Sequence, residues 1–138
     1  EGAVVWKYLS HAVRVAHDWQ NSSEEFVKGR RMRVYGIKSC DTVRKAMKEL
    51  VAAGREPILI DMRETPLEPP VLERFYSRFG EAMVNKRSTT WRRLDDLERA
   101  EDPLRLLSAY PTLIKRPVIE DGDVCTLGWD ASVRETWL

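Results

Sequence analysis

The spacing of apolar residues changes character near residue 32. Before it, VVWKYLSHAVRVAHDW (4–19) places Val5, Leu9, Ala12, Val13, Ala16 and Trp19 near one helical face, and QNSSEEFVKGRR (20–31) reads as a polar linker. From there the pattern is regular. RVYGI (33–37), opened by Met32, is a short apolar run that reads as a strand. DTVRKAMKELVAAG (41–54) spaces Val43, Ala46, Met47, Leu50 and Val51 onto one face, which predicts a helix with Gly54 at its C-terminal stop. PILIDM (57–62) is a continuous apolar run, as a buried strand requires. Strand, long helix and strand together predict a parallel β-α-β unit.

TPLEPPVLERFYSRFG (65–80) reads as a turn and then a helix, with Leu72, Phe75, Tyr76 and Phe79 as its apolar stripe and Gly80 at its end. STTWRRLDDLERAED (88–102) and DPLRLLSAYP (102–111) read as two more short helices. Asp102 is a candidate N-cap for the second, with Pro103 at its first helical position. PTLIKRPVIEDGDVCTLG (111–128) reads as an extended segment, a proline, a strand, an Asp-Gly turn and a second strand, an antiparallel hairpin. DASVRETWL closes the chain with a short helix capped by Asp130. The order β-α-β, helical insertion, β-β-α predicts an α/β protein with a four-stranded mixed sheet, the order of a thioredoxin-like fold. Residues 1–31 are expected to be an N-terminal extension, with a packing helix of the same domain as the alternative, and residues 32–138 the domain proper. The chain opens on Glu, which suggests a piece of a longer polypeptide, and Met32 is a candidate native start.

Composition narrows the function classes. The 138 residues suffice for one domain with its own core, and 43% hydrophobic with 33% charged residues fits a globular rather than a disordered chain. A net charge of +1 gives no bulk attraction to nucleic acid or an anionic membrane. No apolar run approaches the roughly 18 residues of a transmembrane helix. The basic, aromatic stretch NKRSTTWRR could bind nucleic acid, but the net charge argues against it. The two cysteines, Cys40 and Cys125, are too few for a disulfide scaffold and form no metal-type CxxC pair, so a reducing, cytoplasmic setting is expected. Both histidines, His11 and His17, precede residue 32, which removes Ser/His/Asp hydrolysis and His-based zinc sites from the domain. No metal, nucleotide or flavin site is expected. Chemistry there must use thiol, guanidinium, ammonium or carboxylate.

Cys40 stands where a strand hands over to a helix. The unpaired N–H groups of a helix start carry partial positive charge, and a sulfur beside them is stabilised as thiolate, the nucleophilic form. Lys38, Arg44 and Lys45 add positive charge, whereas Asp41 opposes it. A buried, inert cysteine is the competing reading. Val43 occupies the place where a CxxC motif would have its second cysteine. In a thioredoxin-like fold the proline opening the third strand is usually cis and packs against the active cysteine. Pro117 has that position, and Arg116 then lies within reach of Cys40, able to hold an oxyanion or a glutathione carboxylate bidentately.

VYGIKSCDTVRKA, NKRSTTWRRL, YPTLIKRPV and LGWDAS together resemble the arsenate reductase (ArsC) family, in particular its YffB-like branch, and are also similar to the Spx regulators. The resemblance covers the chain from about Arg33 to Trp137. It implies a thioredoxin-like fold with a helical insertion, a redox-active cysteine at Cys40, and thiol-dependent reduction with glutathione or a glutaredoxin. In glutathione-linked arsenate reductases a histidine stands four residues before the cysteine, and three arginines surround it. Here the histidine position is Gly36. Of the arginine positions only Arg116 is kept; Asn85, adjoined by Lys86 and Arg87, takes the second, and the third aligns near Trp129. So few fixed donors argue against arsenate itself. A glutathione-type disulfide or another small anionic substrate fits better, with Cys40 as nucleophile, Lys38 assisting the thiolate, and Arg116, Lys86 and Asn85 binding the anionic part. Pro117 and Gly36 are expected to shape the site. Glutathione is the expected co-substrate, with no cofactor bound. Cys125 reads as a packing cysteine and the only internal resolving candidate. Trp91 and Trp129 are expected at the mouth of the site, and Trp137 in the packing of the last helix. The competing function is a non-enzymatic, Spx-like module that binds RNA polymerase.

Overall fold

In the computed structural model the described residues are 32–138, so the expected extension over 1–31 lies outside them. Strand β1 (Met32–Gly36) leads through a turn into helix α1 (Asp41–Ala52), and β2 (Pro57–Asp61) follows. After an insertion, β3 (Val118–Asp121), β4 (Val124–Leu127) and a closing helix (Ala131–Trp137) complete the first unit. The sheet order is β2-β1-β3-β4. β1 and β2 are parallel, with Val34 opposite Leu59, while β1–β3 and β3–β4 are antiparallel. This is the mixed four-stranded sheet that the pattern predicts.

The β1–β2 crossover is made by α1. Its 12 residues span about 18 Å at 1.5 Å per residue, close to the length of the five-residue strands it returns along. The helix ends as a Schellman motif: the Arg55 N–H donates to the Leu50 carbonyl and the Gly54 N–H to the Val51 carbonyl, both at 3.0 Å. Gly54 takes φ +85°, a conformation that costs a side-chain-bearing residue energy. Val43, Met47 and Leu50 from α1, with Val133 and Trp137 from the closing helix, bury one face of the sheet, where Val34, Leu59 and Ile119 project. Val51 is only half-buried, at the margin of that stripe.

The insertion, Met62–Lys115, forms a second compact unit. It contains α2 (Pro69–Phe79), a 3-10 turn at Gly80–Met83, α3 (Thr89–Arg93), α4 (Asp96–Arg99), α5 (Pro103–Ala109) and a 3-10 turn at Pro111–Leu113. The closing helix is therefore α6. Leu72 and Phe75 are buried, whereas Tyr76 and Phe79 are half-buried.

The residues expected to form one helix over 88–102 form two. Leu94 takes an extended ψ of 139°, and Asp95 starts α4 with a capping box. Its carboxylate accepts from the Glu98 N–H at 2.8 Å, and the Glu98 carboxylate accepts from the Asp95 N–H at 3.0 Å. Residues 111–113, expected to be extended, make a 3-10 turn that Pro111 begins. Asp102 does stand at the N-cap of α5, but its side chain makes no capping hydrogen bond.

Candidate active site

Cys40 is placed by two bonds that fix the turn before α1. Its own N–H donates to the Ile37 carbonyl at 2.9 Å. The Lys38 N–H donates to the Asp61 carboxylate at 3.0 Å. Asp61 ends β2 opposite Gly36 and is only 4% exposed. Cys40 is thereby the N-cap residue of α1, with extended φ and ψ. Its sulfur makes no full capping hydrogen bond, yet the Val43 and Thr42 N–H groups act on it. Burial pushes the thiol pKa up. The Val43 N–H, the hydrogen bond and charge of Arg116, and the Thr42 N–H push it down and together outweigh burial, so the net shift is downward.

Arg116 comes from the approach to β3. The Arg116–Pro117 peptide is cis, Pro117 is buried, and the Pro117 carbonyl accepts from the Gly128 N–H at 2.8 Å. Arg116 is half-buried, and its guanidinium acts on the Cys40 sulfur, lowering the thiol pKa. Asp41 is fully exposed and lies 3.9 Å from Arg44 on the same exposed face. The connection seen for Lys38 is through its backbone, to Asp61.

Gly36 is buried against Val43. A Cβ at residue 36 would stand 2.6 and 2.8 Å from the two Val43 methyl groups. The position cannot carry a histidine without displacing Val43.

Cys40, Lys38, Gly36, Arg116 and Pro117 thus come together in the sheet unit. Asn85 and Lys86 belong to the inserted unit. There the Asn85 side-chain carbonyl accepts from the Arg87 N–H at 3.1 Å, the Asn85 N–H donates to the Leu113 carbonyl, and the Lys86 ammonium lies 5.6 Å from the Trp91 ring centre. Trp91 also carries the Arg99 guanidinium at 5.3 Å. Trp129 packs on the core cluster on which Cys40 also packs, and Trp137 is buried in it. Cys125 is half-buried on β4, opposite Glu120.

Sequence reasoning missed Asp61 and Gly128. An aspartate closing the apolar run PILID is a signal for the first, because a buried carboxylate needs donors. Nothing local marks the second. Among the described residues no group of three or more His, Cys, Asp or Glu side chains could hold a metal ion. None of their helices is long and apolar enough to cross a membrane.

Comparison with known proteins follows the same lines. The model of the ArsC family matches residues 35–136. An uncharacterized protein of Haemophilus influenzae is 47% identical over 95 residues, covering 64% of this chain and 83% of the relative. The solved structure of the YFFB protein superposes with a TM-score of 0.71 at 29% identity, covering 78% of this chain and 98% of the other. An arsenate reductase (ArsC) related protein from Brucella melitensis gives 0.63 at 28% identity, covering 78% and 93%.

Proposed function

The chain belongs to the ArsC family, and from that premise we propose that it is a thiol-dependent oxidoreductase that reduces glutathione-type disulfides through a single cysteine, Cys40. The family and its arsenate-reductase-related neighbours support thiol oxidoreduction in general. The observation that carries the reading for this chain is the thiol of Cys40, held below its ordinary pKa by the first amides of α1 and by Arg116.

The cycle has two exchanges. The Cys40 thiolate attacks the glutathionyl sulfur of a mixed disulfide RS–SG. The Cys40–S–SG bond forms, the RS–SG bond breaks, and RS⁻ leaves and takes a proton from solvent. A second glutathione, as thiolate, attacks the glutathionyl sulfur of the enzyme adduct. Oxidised glutathione leaves and the Cys40 thiolate is restored. Two electrons pass from glutathione to the substrate. A glutaredoxin could supply the second thiol by the same attack. The Arg116 guanidinium, with its planar fork of donors, holds a carboxylate of glutathione in this scheme.

Arsenate is not the proposed substrate. A small tetrahedral oxyanion needs several fixed donors, Arg116 is the one kept arginine, and Val43 fills the space that a histidine at residue 36 would need.

The test is the pH dependence of Cys40 alkylation, read by intact mass in a Cys125→Ser background. The thiolate reacts and the thiol does not, so the rate rises with pH through the folded pKa. The expected midpoint lies well below the free-cysteine value of about 8.5. Cys40→Ser should abolish reduction of glutathione-linked disulfides. A variant that keeps turnover, or a midpoint at or above the free value, rejects the assignment.

A further inference from the structure

The loop after β4 is tied to three parts of the sheet unit. The Gly128 N–H donates to the Pro117 carbonyl at 2.8 Å. The Trp129 indole N–H donates to the Glu49 carboxylate at 3.0 Å. Asp130 caps α6 by accepting from the Val133 N–H at 2.9 Å. The same Glu49 oxygen that takes the indole also accepts from the Arg134 Nε at 3.0 Å, so α6 and the loop are pinned to one point on α1.

That point lies on the helix that carries Cys40 at its other end. The connections close a ring: Cys40 begins α1, Glu49 on α1 holds Trp129, Gly128 next to Trp129 holds Pro117, and Arg116 next to Pro117 returns to the Cys40 sulfur. Gly128 and Pro117 are buried, and Cys40, Glu49, Arg116 and Trp129 are half-buried. Glu49 keeps about a quarter of its side-chain surface, and Trp129 packs on the same buried cluster as Cys40.

We infer that Glu49 and Trp129 are positioning residues for the active thiol: their hydrogen bond fixes the 128–130 loop, the loop fixes the Arg116–Pro117 segment, and Arg116 is thereby presented to the Cys40 sulfur. The ring depends on Cys40 being the functional thiol, and so rests on the reading above. A long guanidinium stem has many rotamers, and its bond to a sulfur is only as firm as the backbone that aims it. The charge acting on the thiol is Arg116 from the β3 approach, while Lys38 in the preceding turn and the exposed Asp41–Arg44 pair flank it in sequence. Those around Glu49 are Arg134 on α6 and Lys45 on α1.

The sign of the effect separates positioning from plain electrostatics. Removing the Glu49 charge would, by itself, favour the thiolate and lower the Cys40 midpoint. Loosening Arg116 raises it. Glu49→Ala, at a helical position where alanine is well tolerated, and Trp129→Phe, which keeps a ring in the core and removes only the indole N–H, are therefore the informative pair. Both are measured by Cys40 alkylation against pH in the Cys125→Ser protein, alone and combined with Arg116→Ala. The expected result is an upward midpoint shift in each variant, slowing alkylation below the midpoint by about three- to tenfold, since one unit is a tenfold change in thiolate. Arg116→Ala should shift it at least as far, and the combined variants should show no further shift, because the residues act through one arm. Unshifted or lowered midpoints in both variants, or shifts that add to that of Arg116→Ala, overturn the inference. A loss of thermal stability without a midpoint shift does so too, and leaves the clasp purely structural. An ordinary midpoint in the unaltered protein is a different failure, that of the thiol assignment itself.

Discussion

Gly36 and Val43 together decide what kind of thiol site this is. The glycine ends β1 with its Cα turned against the valine, and the valine stands three residues after Cys40, where a local partner cysteine would have to be. Each residue needs the other's choice: the space a side chain at 36 would need is filled by the two methyl groups of residue 43. Gly36→Ala puts a methyl 2.6 Å from a neighbour that is fully buried and cannot swing out. Overpacking of this kind should destabilise the protein by about 1–3 kcal/mol, read by urea unfolding. The pair predicts its own rescue. Val43→Ala combined with Gly36→Ala should recover part of that loss, even though Val43→Ala alone leaves a cavity. A double variant that is worse than the sum of the two singles would show that the contact is not what limits residue 36.

At the scale of elements, α1 does two things that can be separated. Its first amides act on the Cys40 sulfur, and its buried stripe holds it on the sheet. Leu50 is fully buried and sits nine residues beyond the first helical residue, Asp41. Leu50→Ala should therefore cost about 2–5 kcal/mol in stability while leaving the alkylation midpoint of the folded protein unchanged. A moved midpoint would mean that the helix start depends on core packing two turns away. The stripe was readable in the sequence because 3.6-residue periodicity is local, and so was the strand–helix junction that carries Cys40. Arg116 was readable because a proline opens the next strand. The break in the 88–102 segment was not. LDDLE offers a continuous helical pattern, and only the reciprocal Asp95–Glu98 box, a matter of backbone geometry, starts a new helix there. Asp61, Gly128 and the Glu49–Trp129 bond were hidden for a different reason. Their partners are 23, 11 and 80 residues away, and no spacing rule reaches that far.

At the scale of the whole sheet, the ladder keeps the two cysteines apart. Cys40 is met by Arg116, and it packs on the face of the sheet that carries Val34 and Ile119. Cys125 is opposite Glu120, which is opposite Arg33, and residues paired in this way share a face. Arg33 and Glu120 alternate with Val34 and Ile119, so Cys125 projects from the other face. From Arg116 to Glu120 the chain runs four residues, about 13 Å of extended backbone, and Cys125 lies across the ladder from Glu120, one strand to the side. A disulfide needs the two Cα atoms within about 7 Å. With the two cysteines on opposite faces of the sheet, the folded ladder does not favour a disulfide between them. The cycle we propose therefore takes the thiol that resolves Cys40 from outside the chain. Exposure to excess oxidised glutathione should accordingly give one glutathionyl adduct, mapped to Cys40, which dithiothreitol removes. Cys125→Ser should give the same adduct at the same rate. A product lighter by two hydrogens with both cysteines in one cross-linked peptide would contradict the sheet geometry. It would also replace the external-thiol cycle with a two-cysteine one.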